Sequence, residues 1–342
     1  MLSVGYQLPE PGEESVVEAV RALRESVGEV YFAWIGHPSG RSPIGVEHGV
    51  PSADAQARLE RDLAALRAMG VALDLLFNAN CYGDLSLSRE LETEVNAVLD
   101  RLDAVAGGAD AVTTTSPAVA CMVKRRRPGM EVRASVNMRI GSVQGMEYLA
   151  DLFDGFYVRR DLNRDLGRLA ELKEWADGKG KRLYLLANSG CLRDCSGQTF
   201  HDNLVAHEAA VAASDNIEGF LPYACFRHLA DRSAWPAVLQ ATWIRPEDLH
   251  RYEGLFPLVK LATRLHERPE MVIRAYAEGR HEGNLLDLME PGHSRTFAPY
   301  VIDNNRFPED WFERTSHCDF RCHCCTYCRS VLERVLVNTD EA

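Results

Sequence analysis

No stretch of the 342-residue chain approaches the ~18 uninterrupted apolar residues of a membrane-crossing helix. The opening MLSVGYQLPEPGEESVVEAV lacks the basic segment followed by an apolar one that marks a secretory signal. Positive charge is in deficit: 38 basic against 50 acidic residues leave a formal charge of −12, a poor balance for sequence-independent nucleic-acid binding. One local basic run, Lys124 to Arg127, closes a helical pattern just before Pro–Gly and reads as solvated surface. Three signatures of common enzyme classes are also missing. No Gly-rich dinucleotide fingerprint follows the first strand pattern, and there is neither an HExxH zinc helix nor a GxSxG nucleophile elbow. The expectation is a soluble cytoplasmic protein without a membrane or nucleic-acid partner.

What the chain does have is a core and thiols. At 46% hydrophobic residues it can bury a large interior without disulfide staples. Its ten cysteines, in a reducing compartment, then point to metal binding or redox chemistry.

Short apolar runs alternate with amphipathic segments. Strands are expected over residues 2–8, 29–35, 72–79, 110–116, 131–137, 155–160, 182–188 and 256–263. Between them lie helical patterns such as SADAQARLERDLAALRAMG, with a serine placed as N-cap, and LSRELETEVNAVLDRLDAVAGG, ended by paired glycines. Eight near-continuous apolar strands with helical crossovers favour a closed (β/α)8 TIM-like barrel over an open doubly wound sheet. Residues 1–264 are assigned to that barrel. Residues 265–342 are assigned to a helical C-terminal extension that folds back and ends in a cysteine-rich, metal-binding segment.

In such a barrel the chemistry sits at the carboxyl ends of the strands. The residues there are His37 and Arg41; Asn78, Asn80, Cys81 and Tyr82; Ser116; Asn137 and Arg139; Arg159 and Arg160; Asn188, Cys191 and Cys195; and Arg264. The set is rich in arginine and short of carboxylates, so it suits a small anionic substrate. The competing reading for any one of them is loop capping. Arg264, Arg159, Arg160 and Asn188, together with His201, are taken as the catalytic candidates.

The thiols form two groups, with Cys81 and Cys121 outside both. Cys191 and Cys195 follow the seventh strand in NSGCLRDCSGQTFH, and Cys225 closes GFLPYAC. As isolated residues they could be buried small hydrophobes. Zinc completed by His201 and His207 is a second reading, and an iron–sulfur cluster a third. A Cys–His nucleophile pair, Cys225 with His228, is a fourth. The terminal CDFRCHCCTYC packs Cys318, Cys322, Cys324, Cys325 and Cys328 into eleven residues, a density that marks a metal site.

These elements, LLANSGCLRDC, LPYACF, WIRPEDL, LVKLATR and LLFNANCYG with the closing cysteine run, resemble the collagenase-like U32-type peptidase family, in its archaeal and anaerobic-bacterial branch. The resemblance spans most of the chain and implies a TIM-like barrel. It also implies, from several relatives, a 4Fe–4S cluster and oxygen-independent hydroxylation, with prephenate implicated as the oxygen donor and with a partner subunit of the same family. Carried onto this chain, it gives Cys191, Cys195 and Cys225 as cluster ligands. The relatives' fourth cysteine is replaced here, at Thr242 and Trp243. Cys324 is assigned to complete that cluster, leaving Cys318, Cys322, Cys325 and Cys328 for a second cluster or for zinc. An iron–sulfur redox enzyme is thus the leading expectation. A U32-type peptidase, or a non-catalytic iron–sulfur or zinc partner protein, is the alternative.

Overall fold

A computed structural model describes residues 1–9, 15–40, 44–47 and 50–341. Arg41 lies outside the described residues. Eight strands close a barrel: β1 (Leu2–Gly5), β2 (Val27–Ala33), β3 (Ala72–Phe77), β4 (Ala111–Thr114), β5 (Glu131–Ala134), β6 (Gly155–Tyr157), β7 (Arg182–Leu186) and β8 (Val259–Lys260). Each is parallel to its neighbours in chain order, and β8 closes on β1 with Leu2 opposite Val259. The (β/α)8 expectation is met. The last strand is shorter than its apolar run suggested.

Local chemistry explains the outer layer. Ser52 caps the helix Ala53–Ala68 by accepting from the Ala55 amide, as the pattern implied. The helix Arg89–Ala106 stops at Gly107 and Gly108, both with positive φ, where the Gly108 amide reaches back to the Leu102 carbonyl. Outward strand residues such as Val30, Leu73, Val112, Val132, Phe156 and Leu185 pack under these helices and make the apolar core. The basic run at Lys124–Arg127 is answered by Asp154, Glu92, Asp100 and Asp103.

The barrel interior is different. Branched apolar side chains usually fill this space, but here it holds charge. Arg133 donates to Glu29 at 2.6 Å and to Glu131 at 3.0 Å, and its guanidinium lies 4.3 Å from the Tyr184 ring centre. Ser3 donates to the other Glu29 oxygen at 2.6 Å, and Thr113 donates to Asp74 at 2.8 Å. Glu29 and Asp74 are fully buried. Burial opposes the Arg133 charge, but Asp74 and Glu29 outweigh it and raise its pKa.

The C-terminal extension is clamped on by aromatic stacking around one arginine. Trp243 stacks on Trp311 at 5.8 Å, and the Arg164 guanidinium sits 4.2 Å and 5.1 Å from the two rings. Arg164 donates to the Trp243 and Leu239 carbonyls. A short antiparallel pair, Tyr300–Ile302 with Leu336–Asn338, then returns the chain's end to the body.

Two substitutions test these supports by urea unfolding. Glu29→Ala strands a buried guanidinium and is expected to cost about 3–5 kcal/mol. Trp311→Ala opens the stacked clamp and is expected to cost about 3–5 kcal/mol as well. Losses under about 1 kcal/mol would show that neither feature holds the fold.

Candidate active site at the barrel mouth

Three of the cysteines assigned to one group meet at the carboxyl ends of the strands. A cavity of about 1080 Å³, including its part open to solvent, is lined by Cys191, Cys195 and Cys225, by Arg160 and Arg264, and by His201. Asn78 and Asn137 also line it, and Lys260 with Tyr31 and Tyr157 forms its floor. Burial is the main force pushing the Cys225 thiol up to about 11, with Cys191 and Cys195 adding to it. A thiol so held stays protonated at neutral pH, the reverse of an activated nucleophile.

The cysteine loop is built by its neighbours. The Gly190 amide donates to the Glu290 carbonyl at 3.0 Å, and a Cβ at Gly190 would fall 2.0 Å from the Pro291 carbonyl oxygen. Only glycine fits there, so the loop and the C-terminal extension touch backbone to backbone. Asp161 accepts from the Asp194 amide at 3.0 Å, while Arg159 bridges Asp161 at 2.5 Å and Asp194 at 2.6 Å. Burial would raise the Asp161 pKa, but Arg159 and the Asp194 amide bring it below its usual range.

These contacts sort the expected residues. Arg160 reaches into the mouth, with Nη1 3.1 Å from the Cys191 sulfur and Nη2 3.4 Å from the Asn137 oxygen. Arg159 does not line the mouth; it locks the cysteine loop from outside, because adjacent residues leave a strand in opposite directions. Asn188 requires a correction: it is fully buried, gives its amide hydrogens to the Ala262 and Leu288 carbonyls and accepts from the Ala262 amide. Its side chain joins β7 to the segments beyond β8 and is absent from the cavity lining.

Several others are local structure. Ser116 caps the helix Pro117–Arg126, and Cys81 accepts from the Gly83 amide. Tyr82 is not part of the cavity lining. His37 packs edge-on against Phe77, and Arg139 pairs with Asp202 at 2.6 Å. His207 is exposed and lines neither this cavity nor the next, so the zinc set that included it is not assembled.

A second space, about 1020 Å³ with its open part, backs onto the same loop. It is lined by Cys195, Cys225 and His228 on one side and by Phe320, Cys322 and His323 on the other. The tail thiols gather beside it. Cys318, Cys322 and Cys325 all act electrostatically on Cys328, whose thiol is pushed up to about 11, chiefly by burial. The buried Arg164 faces Cys328 and Arg193 faces Cys322. Cys324 is exposed, and its thiol donates to the Arg321 carbonyl at 3.3 Å. The tail thiol that lines the space behind the barrel group is Cys322. Among the described residues, no group of three or more Cys, His, Asp or Glu side chains is drawn together closely enough to hold a single metal ion.

The floor was not legible as a site. Lys260, Tyr31 and Tyr157 lie inside strand patterns rather than at their ends. The available signal was the charge of Lys260 inside the apolar LVKLATR.

No family model matches the chain. It is 27% identical over 272 residues to the uncharacterized protease MJ1657 of Methanocaldococcus jannaschii, covering 78% of this chain and 77% of that one. The structure of the U32 peptidase Mk0906 is similar in fold, with a TM-score of 0.52 and 16% identity, over 76% of this chain and 92% of that one. Both matches agree with the resemblance that the cysteine motifs carry, and the second shows a shared barrel fold. By their printed names the first is a protease and the second a peptidase. Among the described residues, no helix is long and apolar enough to cross a membrane.

Gly190→Ala tests the loop contact. The added methyl forces the cysteine loop off Pro291, so stability is expected to fall by about 1–3 kcal/mol. Alkylation of Cys191 in the folded protein, followed by mass mapping, should speed up several-fold. An unchanged rate would show that the loop does not depend on this approach.

Proposed function

We propose that the protein is a U32-type enzyme that acts on a small anionic substrate in the barrel mouth, beside a thiolate-bound iron–sulfur cluster. The observation that carries this reading is the meeting of Cys191, Cys195 and Cys225 on one cavity with Arg160 and Arg264. The donor set suits iron, which takes thiolate ligands drawn from separate loops. At the tail, Cys318, Cys322, Cys325 and Cys328 suit a second cluster or zinc. The buried Arg164, whose hydrogen-bond acceptors are carbonyl oxygens, is a suitable neighbour for a negatively charged metal–thiolate group.

When bound, the barrel cluster would supply electron transfer for hydroxylation without oxygen or for a related redox modification. The chain's own groups bind and orient. Arg160 and Arg264 hold the substrate's anionic group, His201 stands at the rim for proton transfer, and the cysteine loop with the Pro291 segment restricts water. The second reading is a peptidase, favoured by the names of the relatives. For it, burial makes the Cys225 thiol the poorer nucleophile.

Purification without oxygen followed by iron and acid-labile sulfide analysis separates the readings. Iron and sulfide are expected, with most of one cluster lost in Cys191→Ser, Cys195→Ser and Cys225→Ser. Cleavage of a casein or gelatin substrate by protein free of iron and sulfide would install the peptidase reading instead. Arg160→Met is expected to weaken calorimetric binding of a small dicarboxylate by about ten- to a hundredfold. Unchanged affinity would remove the anion site.

A further inference from the structure

The cavity floor carries a reactive group that the thiol chemistry leaves unused. Lys260 ends β8 and projects into the barrel, with only 8% of its surface exposed, and that part opens on the cavity. Its ammonium position lies 3.6 Å from the Tyr31 ring centre and 4.9 Å from that of Tyr157. No described residue forms an ion pair or hydrogen bond with its Nζ. The nearby carboxylates are committed elsewhere, Glu29 to Arg133 and Ser3, and Asp74 to Thr113. Tyr157, 1% exposed, also lines the cavity, and its hydroxyl has no hydrogen-bond partner among the described residues.

A structural counter-ion would be expected to sit against its carboxylate. Lys260 instead rests on two aromatic faces at the bottom of an open cavity, next to an unpartnered phenol. Burial pushes its pKa down to about 8; Asp74 and Glu29 oppose the shift, while Arg133 and Arg264 reinforce it. Burial also holds the Tyr157 phenol protonated well above its ordinary range. An amine whose charge burial disfavours and a protonated phenol, facing one cavity, are the two groups that carbonyl capture needs.

We propose that Lys260 is a nucleophilic amine that captures the carbonyl of a small oxo acid as an imine, with Tyr157 as the proton shuttle. The Nζ lone pair adds to the carbonyl carbon, and the carbonyl oxygen takes up a proton released by the nitrogen. The Tyr157 hydroxyl then protonates the resulting alcohol, which leaves as water with the C–O electron pair. The phenolate recovers a proton from nitrogen, leaving a C=N bond and one water, with no change of oxidation state. The carboxylate of the oxo acid is held by Arg160 and Arg264, so this part rests on the anion-site reading proposed above.

Reductive trapping tests it on the whole wild-type protein. Glyoxylate with cyanoborohydride converts an imine to a stable carboxymethyl amine that peptide mass mapping can locate. The chain has five lysines, of which the exposed Lys179 serves as the internal reference. At pH 7 Lys260 is expected to be labelled at least tenfold faster than Lys179 and to saturate with glyoxylate. The rate should fall as the pH drops through about 8, where the amine becomes protonated. Tyr157→Phe should slow trapping at least tenfold without moving that midpoint, and Lys260→Arg should abolish it while the melting temperature holds. Acetaldehyde, which carries no charge, separates the two readings. Equal labelling by both aldehydes keeps the amine and removes the anion site. Labelling of Lys179 but of Lys260 by neither aldehyde overturns the proposal.

Discussion

The ion pair between Glu29 and Arg133, fully enclosed by the eight strands, is the constraint on which the rest depends. A charge in that position is tolerable only while its partner stays within hydrogen-bond distance. The pair spans the barrel from β2 to β5, and Ser3, Thr113, Asp74, Glu131 and Tyr184 complete the hydrogen bonding around it. A slip of one residue in any of these strands would turn a polar or charged side chain into the apolar layer under the helices. The network therefore favours a single register while contributing little net stability of its own. Its second consequence is chemical: burial disfavours the charge on Lys260 in the floor above it, Arg133 adds to that, and Asp74 and Glu29 temper it.

The mouth is assembled by contacts from distant parts of the chain. Asn188 ties β7 to the Ala262 backbone and to Leu288, Gly190 abuts Pro291, and Arg159 binds Asp161 to Asp194. Each fixes the backbone that carries Cys191 and Cys195, so the loop is positioned chiefly by groups other than the thiols. The aromatic clamp of Trp243, Arg164 and Trp311 does the same for the tail, and it brings Cys322 to the space behind Cys195 and Cys225.

Several features could be read along the chain because they are local or periodic. The strand–helix alternation, the Ser52 cap, the paired-glycine stop and the density of terminal thiols need no knowledge of distant residues. Cys191, Cys195 and Cys225 were also legible as one group, since a strand end and an apolar run placed them at the same end of a barrel. Arg160 and Arg159 were not separable, because a strand's exit direction depends on the last paired residue. Asn188 was misjudged because a polar residue at a strand end looks the same whether it faces a cavity or bridges two backbones. For Cys324, sequence spacing did not reveal which way a turn of adjacent cysteines points.

The amino-acid order by itself determined the (β/α)8 architecture, the two thiol groups and the scarcity of carboxylates at the strand ends, all of which follow from periodicity, composition and spacing. Only the tertiary structure decided which arginine enters the mouth, which tail thiol approaches the barrel, and that Lys260 and Tyr157 share its floor. Those outcomes depend on side chains far apart in the chain competing for one enclosed volume, where the cost of burying unpaired charge sets the arrangement.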